Sequence, residues 1–121
     1  MTSISVKEPL SYLALSNTIR SAVTTWAKTL ANEIGSHNIT VNNILTGFFN
    51  TERINELNSE KAKKLNIKIG EVFSAMENLV PLKRIGDPKE FAYLVTFLAS
   101  EKASYINGIN IPIDGGLLKS L

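Results

Sequence analysis

The chain has 121 residues, with 13 basic and 11 acidic side chains, one histidine and no cysteine. That length allows one domain at most, with a core of useful size, and a net charge of +2 leaves no electrostatic footprint for nucleic acid. Without cysteine, disulfides and thiolate metal sites are excluded, and one histidine, His37, among scattered carboxylates argues against any metal site.

At the N-terminus, MTSISVKEPLS lacks the apolar core of a signal peptide, and no apolar run approaches the roughly 20 residues of a membrane span. The expected location is the cytoplasm. A long helix is predicted from about Leu10 to Gly35, with Pro9 at its start. Leu15, Ile19, Ala22, Val23, Trp26, Leu30 and Ile34 recur at helical spacing along one face. Gly35 and the polar turn Ser36-His37-Asn38 end it. Trp26 is assigned to the core or to a helix–helix interface.

Ile39 to Leu45 reads as a short strand rich in β-branched residues, broken at Thr46-Gly47. Thr51 to about Asn66 and Lys68 to Leu79 read as two helices of a polar, lid-like insertion. Lys61, Lys63 and Lys64 fall there as a solvated helix face. Asp87-Pro88-Lys89-Glu90 is a helix start, with Asp as cap, Pro in the first position and Glu placed to reach back. The helix from Pro88 to Ser100 is apolar on most sides and is expected to be buried. Ile109 to Ile113 is a second strand. Pro112 cannot donate a ladder hydrogen bond, so that strand belongs at a sheet edge. Asp114-Gly115-Gly116 is a turn.

Strands joined through helices make a parallel α/β sheet. Two parallel strands alone are a poor fold, because such a sheet needs cover on both faces and neighbours beside it. The strand Ile39 to Leu45 would have a bare apolar edge. The pattern itself says that part of the sheet is missing.

Four segments then resemble the short-chain dehydrogenase/reductase family. Leu30-Ala31-Asn32-Glu33-Ile34 through Asn38-Ile39-Thr40-Val41-Asn42 is similar to the end of that family's catalytic helix and its next strand. Thr46-Gly47-Phe48-Phe49-Asn50-Thr51 is similar to its Pro-Gly-x-x-x-Thr segment, with Thr46 in place of Pro. Pro81 to Glu90 with Phe97-Leu98-Ala99-Ser100 resembles its last helix and lead-in, and Ser104-Tyr105-Ile106-Asn107-Gly108 to Gly116 its closing strand and turn. The resemblance implies the C-terminal part of a Rossmann-like doubly wound parallel sheet, with residues 1–121 as a single partial domain. The N-terminal dinucleotide-binding half is missing, and with it the Gly-rich phosphate loop.

Counting back from Asn42, the family's Tyr falls on Ser16, its Lys on Arg20 and its substrate-orienting Ser on Ser3, with Ser5 close enough to compete. In the family a Tyr hydroxyl exchanges a proton with the substrate oxygen while hydride moves to or from the nicotinamide. A phenol starts near a pKa of ~10 and is lowered by a nearby cation. An alkyl hydroxyl is a far weaker acid, and a guanidinium keeps its charge without shuttling protons. Arg20 can still hold a ribose or phosphate. Tyr12, four residues before Ser16, would share its helix face about 6 Å along the axis and offer a substitute phenol; the alternative is a packed or surface Tyr. By resemblance, Gly47, Thr51 and the backbone near Phe49 meet the nicotinamide. Thr51 also suits a helix N-cap.

Two functions follow. The first is an NAD- or NADP-dependent oxidoreductase fragment, acting on a carbonyl or alcohol, inactive alone and completed by a separate dinucleotide-binding half. The second is a non-enzymatic homo-oligomerisation or partner-binding module, because the retained helices are those that build the family's subunit interfaces.

Overall fold

Three parallel strands organise the chain, and they stand in the order in which they occur. The computed structural model describes residues 1–120. Strand β1 (Thr2–Ser3) leads through a 3-10 turn (Ile4–Val6) to helix α1 (Ala14–Ile34), and strand β2 (Asn43–Thr46) follows. Helices α2 (Glu52–Leu65) and α3 (Ile69–Leu79) form the insertion. Helix α4 (Pro88–Leu98) and strand β3 (Asn110–Ile113) close the sequence of elements. The expected α/β architecture with a parallel sheet is present. Strand β1 is the element that the sequence did not reveal. It pairs Thr2 with Leu45 and Ser3 with Thr46, so β2 is not bare and becomes the central strand.

The register fixes the layers. Thr2 and Leu45 are partners across the ladder and share one face of the sheet, whereas Ile44 belongs to the other. Thr2 lines a groove with Ser16 and Val23 of α1, and Ile44 lines one with Phe91 and Val95 of α4. Helices α1 and α4 therefore cover opposite faces. Both crossovers step in the same direction along the sheet, so one of them is left-handed, against the strong right-handed rule. The long α2–α3 excursion between β2 and β3 supplies the chain length for it.

Boundaries move by a few residues from the expected ones. Helix α1 begins at Ala14 because Leu10–Leu13 form a turn, with Tyr12 in the left-handed region at φ 65°. Asn17 Nδ2 donates to the Leu10 carbonyl at 2.9 Å and holds that turn against the helix. The start of α4 is as read. Asp87 accepts from Lys89 N, and Glu90 reaches back to Asp87 N at 2.8 Å.

Two expectations about burial are corrected. No residue of α4 is buried, and Tyr93 is 70% exposed. The side of α1 that meets the protein carries Ser16, Arg20, Thr24, Ala27 and Ala31, while Leu15, Ile19, Val23 and Trp26 are exposed. Trp26, at 62% exposure, is not in the core of this chain. The cause is close approach. Ala31 hands its carbonyl to Asn107 Nδ2 at 3.0 Å, and Lys28 Nζ donates to the Gly108 carbonyl at 2.9 Å. At this approach the helix carries alanines, Ala27 and Ala31, and Leu15, Ile19, Val23 and Trp26 turn outward. The buried core is small and centres on Leu45 and Ile44, with Ile4, Val72 and Val80.

The two sheet edges differ. Asn43 N donates to the Ile109 carbonyl and Gly47 N to the Ile113 carbonyl, which turns Ile109 and Ile113 toward β2. Asn110 and Pro112 then face the outer edge, and Pro112 has no N–H to offer. The edge placement expected from Pro112 holds. Strand β1, at the other edge, has β2 as its only partner among the described residues.

Candidate active site

The carboxyl ends of the three strands point the same way, and this is where parallel sheets build ligand sites. Ser3 ends β1, Thr46-Gly47 ends β2, and Asp114 follows β3. Gly47 is required there. A Cβ on it would lie 2.7 Å from both Cα and Cβ of Asp114. The segment that follows is pinned by a short parallel bridge, with Gly86 N donating to the Phe48 carbonyl at 3.0 Å and Asn50 N to the Gly86 carbonyl at 2.9 Å. Phe49 meets Phe91 edge to face, with ring centroids 6.1 Å apart. Thr51 Oγ1 accepts from Ile54 N at 3.4 Å, so the capping role read for it is real and its hydroxyl proton stays available.

Ser16 and Arg20 come together as their spacing on a helix requires. Arg20 Nε donates to Ser16 Oγ at 3.1 Å, and both side chains are half-buried. That bond fixes how the pair can act. Ser16 spends a lone pair on Arg20, so its own O–H is free to donate outward. The Nη groups of Arg20 bond nothing among the described residues, leaving a cation with donors to spare.

The groove beside this pair is lined by Met1, Thr2, Ser16, Ile19, Arg20 and Val23. Thr2 was not singled out in the sequence. It is 1% exposed, and its Oγ1 has no hydrogen-bond partner among the described residues. A buried hydroxyl left unpaired costs about 1–3 kcal/mol. The signal that would have found it is the alternation of β1, which two residues are too few to display.

Other candidates fall elsewhere. Ser3 is not among the groove residues; its Oγ accepts from Ser5 N at 3.2 Å and caps the 3-10 turn. Ser5, its competitor, is buried at 2% exposure. Tyr12 does not share a helix face with Ser16, because it precedes α1 in the left-handed turn. Its side chain is fully exposed and does not line the groove. The helical extrapolation that brought it near Ser16 fails at the turn. Gly47, Phe49 and Thr51 form a second group after β2. Phe48, Phe49, Leu82, Arg84, Glu90 and Asp114 line a mostly apolar cavity beside it.

The charges around that cavity are already satisfied. Arg84 grips Glu90 with two bonds of 2.7 and 2.6 Å. Asp114 accepts from the N–H groups of Gly116 and Leu118. The Arg84 guanidinium first, and the Asp87 N–H second, pull the Glu90 carboxyl down to about 2. Glu8 lies below the usual carboxylate range because its Oε1 accepts from the N–H groups of Lys119 and Ser120, each at 2.8 Å.

Residues 1–118 match the family described as enoyl-(acyl carrier protein) reductase. Over 115 residues the chain is 36% identical to the NADPH-dependent reductase BacG of Bacillus subtilis, covering 95% of this chain and 44% of that reductase. A short-chain dehydrogenase family protein from Francisella tularensis superposes with a TM-score of 0.93 at 30% identity, over 96% of this chain and 48% of that one. L-sorbose reductase from Gluconobacter frateurii, in complex with NADPH and L-sorbose, superposes with a TM-score of 0.93 at 33% identity, over 99% and 46%. The chain spans less than half the length of the relatives it matches.

A folded Glu90 pKa below the ordinary 4.5 means that its contribution to stability is present above that value and fades as pH falls through about 2. Carboxyl-resolved NMR titration is expected to place the Glu90 midpoint near 2, and Arg84→Gln to move it up toward the ordinary value. A midpoint already near the ordinary value in the native chain would contradict this account.

Proposed function

The chain belongs to the short-chain dehydrogenase/reductase family, and from that premise we propose that it is the catalytic-side half of a nicotinamide-dependent carbonyl reductase. The observation that carries the reading is the Arg20–Ser16 pair, a cation and an outward hydroxyl on the positions where the family has its Lys and Tyr. NADPH is favoured over NADH, because the reductases named above are NADPH-dependent or bind it.

The residues fit only one end of such a dinucleotide. Arg20 has unpaired donors for a ribose or phosphate oxygen, and Thr51 has a hydroxyl proton for an amide carbonyl. The chain has no Gly-x-x-x-Gly-x-Gly sequence to wrap a pyrophosphate. A reduced nicotinamide supplies hydride when it is bound. What the chain itself supplies is a grip on the substrate oxygen. Ser16 donates its O–H to that oxygen and stabilises the negative charge that develops there. Arg20 holds the serine oxygen from behind and keeps positive charge beside it. Neither group is a proton shuttle near neutral pH, so water protonates the product oxygen. Ser3 is a second hydroxyl for orienting substrate, once it leaves its turn cap.

Supplied with the unmatched remainder of the Bacillus subtilis reductase as a separate polypeptide, the chain is expected to oxidise NADPH in the presence of a ketone. Ser16→Ala should then lower kcat by about 10²-fold, the usual loss for one such donor. Arg20→Gln should raise KM for NADPH. Turnover that survives Ser16→Ala unchanged would remove Ser16 from the mechanism.

A second reading, self-association, rests on one observation. Helix α1 turns Leu15, Ile19, Val23 and Trp26 to solvent in a single stripe. Such a stripe is self-complementary across a two-fold axis. Light scattering is expected to give a dimer or a larger closed assembly, and Trp26→Glu to give a monomer. A native chain that is already monomeric at micromolar concentration contradicts it.

A further inference from the structure

We infer that Glu8 is a positioning residue. It latches the turn that carries Ser3 to the segment after β3, so that Ser3 can leave its cap without the turn coming loose. The inference rests on the reductase reading for what Ser3 does with substrate, but not for the latch itself.

The turn needs fastening because β1 is short. Thr2–Ser3 makes two ladder pairs with β2, and a strand of two residues holds little by itself. Ile4 is the apolar anchor of the turn, buried at 6% exposure. Its carbonyl gathers the backbone, accepting from Lys7 N at 2.9 Å and from Glu8 N at 3.1 Å. Two side chains then tie the turn at its ends. Ser3 Oγ caps the front by accepting from Ser5 N, and the Glu8 carboxylate reaches out from the back.

What Glu8 reaches is remote in sequence. Its Oε1 accepts from Lys119 N and from Ser120 N, each at 2.8 Å, across 111 and 112 residues. The segment it grips is itself fixed at the carboxyl end of the sheet. Asp114 Oδ1 accepts from Gly116 N at 2.9 Å, and its Oδ2 from Leu118 N at 2.8 Å. Asp114 sits against Gly47 at the end of β2, and the Gly115 carbonyl accepts from Leu82 N at 3.3 Å. Residues 114–120 therefore run from the end of β3 to the turn after β1, with β2 between those two strands. They form a strap along the rim where Ser3 and Thr46 end their strands.

The two ties of the turn are not equivalent. A substrate oxygen draws the Ser3 hydroxyl out of its cap. Glu8 lines neither the groove of Ser16 and Arg20 nor the cavity beside Phe49, so a ligand in either leaves its bonds intact. The latch then holds the turn alone while Ser3 is engaged.

The first test is NMR amide exchange on the full chain. Glu8→Ala is expected to speed exchange at Lys119 and Ser120 about tenfold, as loss of a hydrogen bond to a charged group does. Glu8→Gln is expected to restore protection, because both bonds land on one oxygen and a glutamine carbonyl has the same reach. Ser3→Ala alone should leave the Lys7 and Glu8 amides protected. Ser3→Ala with Glu8→Ala should expose them by more than the two single changes combined. Native-like exchange at Lys119 and Ser120 in Glu8→Ala overturns the latch. Additive single effects at Lys7 and Glu8 overturn the sharing of the turn.

The second test adds the remainder of the Bacillus subtilis reductase as a separate polypeptide. Glu8→Ala should raise KM for the ketone about fivefold and leave KM for NADPH unchanged, with Glu8→Gln restoring the native value. An unmoved ketone KM in a chain whose latch exchange has verified overturns the positioning role. A verified latch with no turnover even from the native chain removes the reductase reading, and the role of Ser3 with it, and leaves the latch standing.

Discussion

Parallel strands cannot leave a face or an edge to water without cost, because both sides of each strand are built for burial. In this chain that requirement is met along β2, where Asn43, Ile44 and Leu45 are buried, and only in part at the two edge strands. Pro112 ends the sheet on one side by removing a donor. On the other side the ladder stops at two residues, with a groove on each face beside it. The exposed Val95 of α4 and Ile19 and Val23 of α1 line those two grooves. The core that remains is centred on Leu45.

The same geometry organises the chemistry. Helix α1 lies on its small and polar side because Ala27 and Ala31 permit close approach, and this brings Ser16 and Arg20 in toward β1. A phenol would add an acid–base group at that point, as the family has. The serine and arginine instead make a hydrogen-bond donor backed by a fixed charge. Such a pair can polarise a carbonyl, and it depends on solvent for the proton. The loop after β2 is held independently by the Gly47–Asp114 contact and the Phe49–Gly86 bridge, so its position does not require a neighbour at β1.

Features fixed by a few adjacent residues were legible from the sequence. The Asp87–Glu90 cap, the edge role of Pro112, the Thr51 cap and the Ser16–Arg20 pairing all depend on short spacings. Features set by distant contacts were not. Periodicity shows that Leu15, Ile19 and Trp26 share a face, but not which face turns inward; Asn107 and Gly108, far along the chain, decide that. Two residues cannot display the alternation of a strand, so β1 and the burial of Thr2 went unseen. Tyr12 was misplaced because the turn at Leu10–Leu13, held by Asn17, looks like helix in sequence.

We propose that this chain holds the substrate-oxygen side of a reductase site and residues for only one end of a dinucleotide. Titration calorimetry of the purified chain alone with NADPH and with NADH tests it most directly. The account predicts no saturable heat from a chain that circular dichroism shows to be folded. Micromolar binding of either dinucleotide would contradict it, because a complete site would then exist without a phosphate loop or a neighbour for β1.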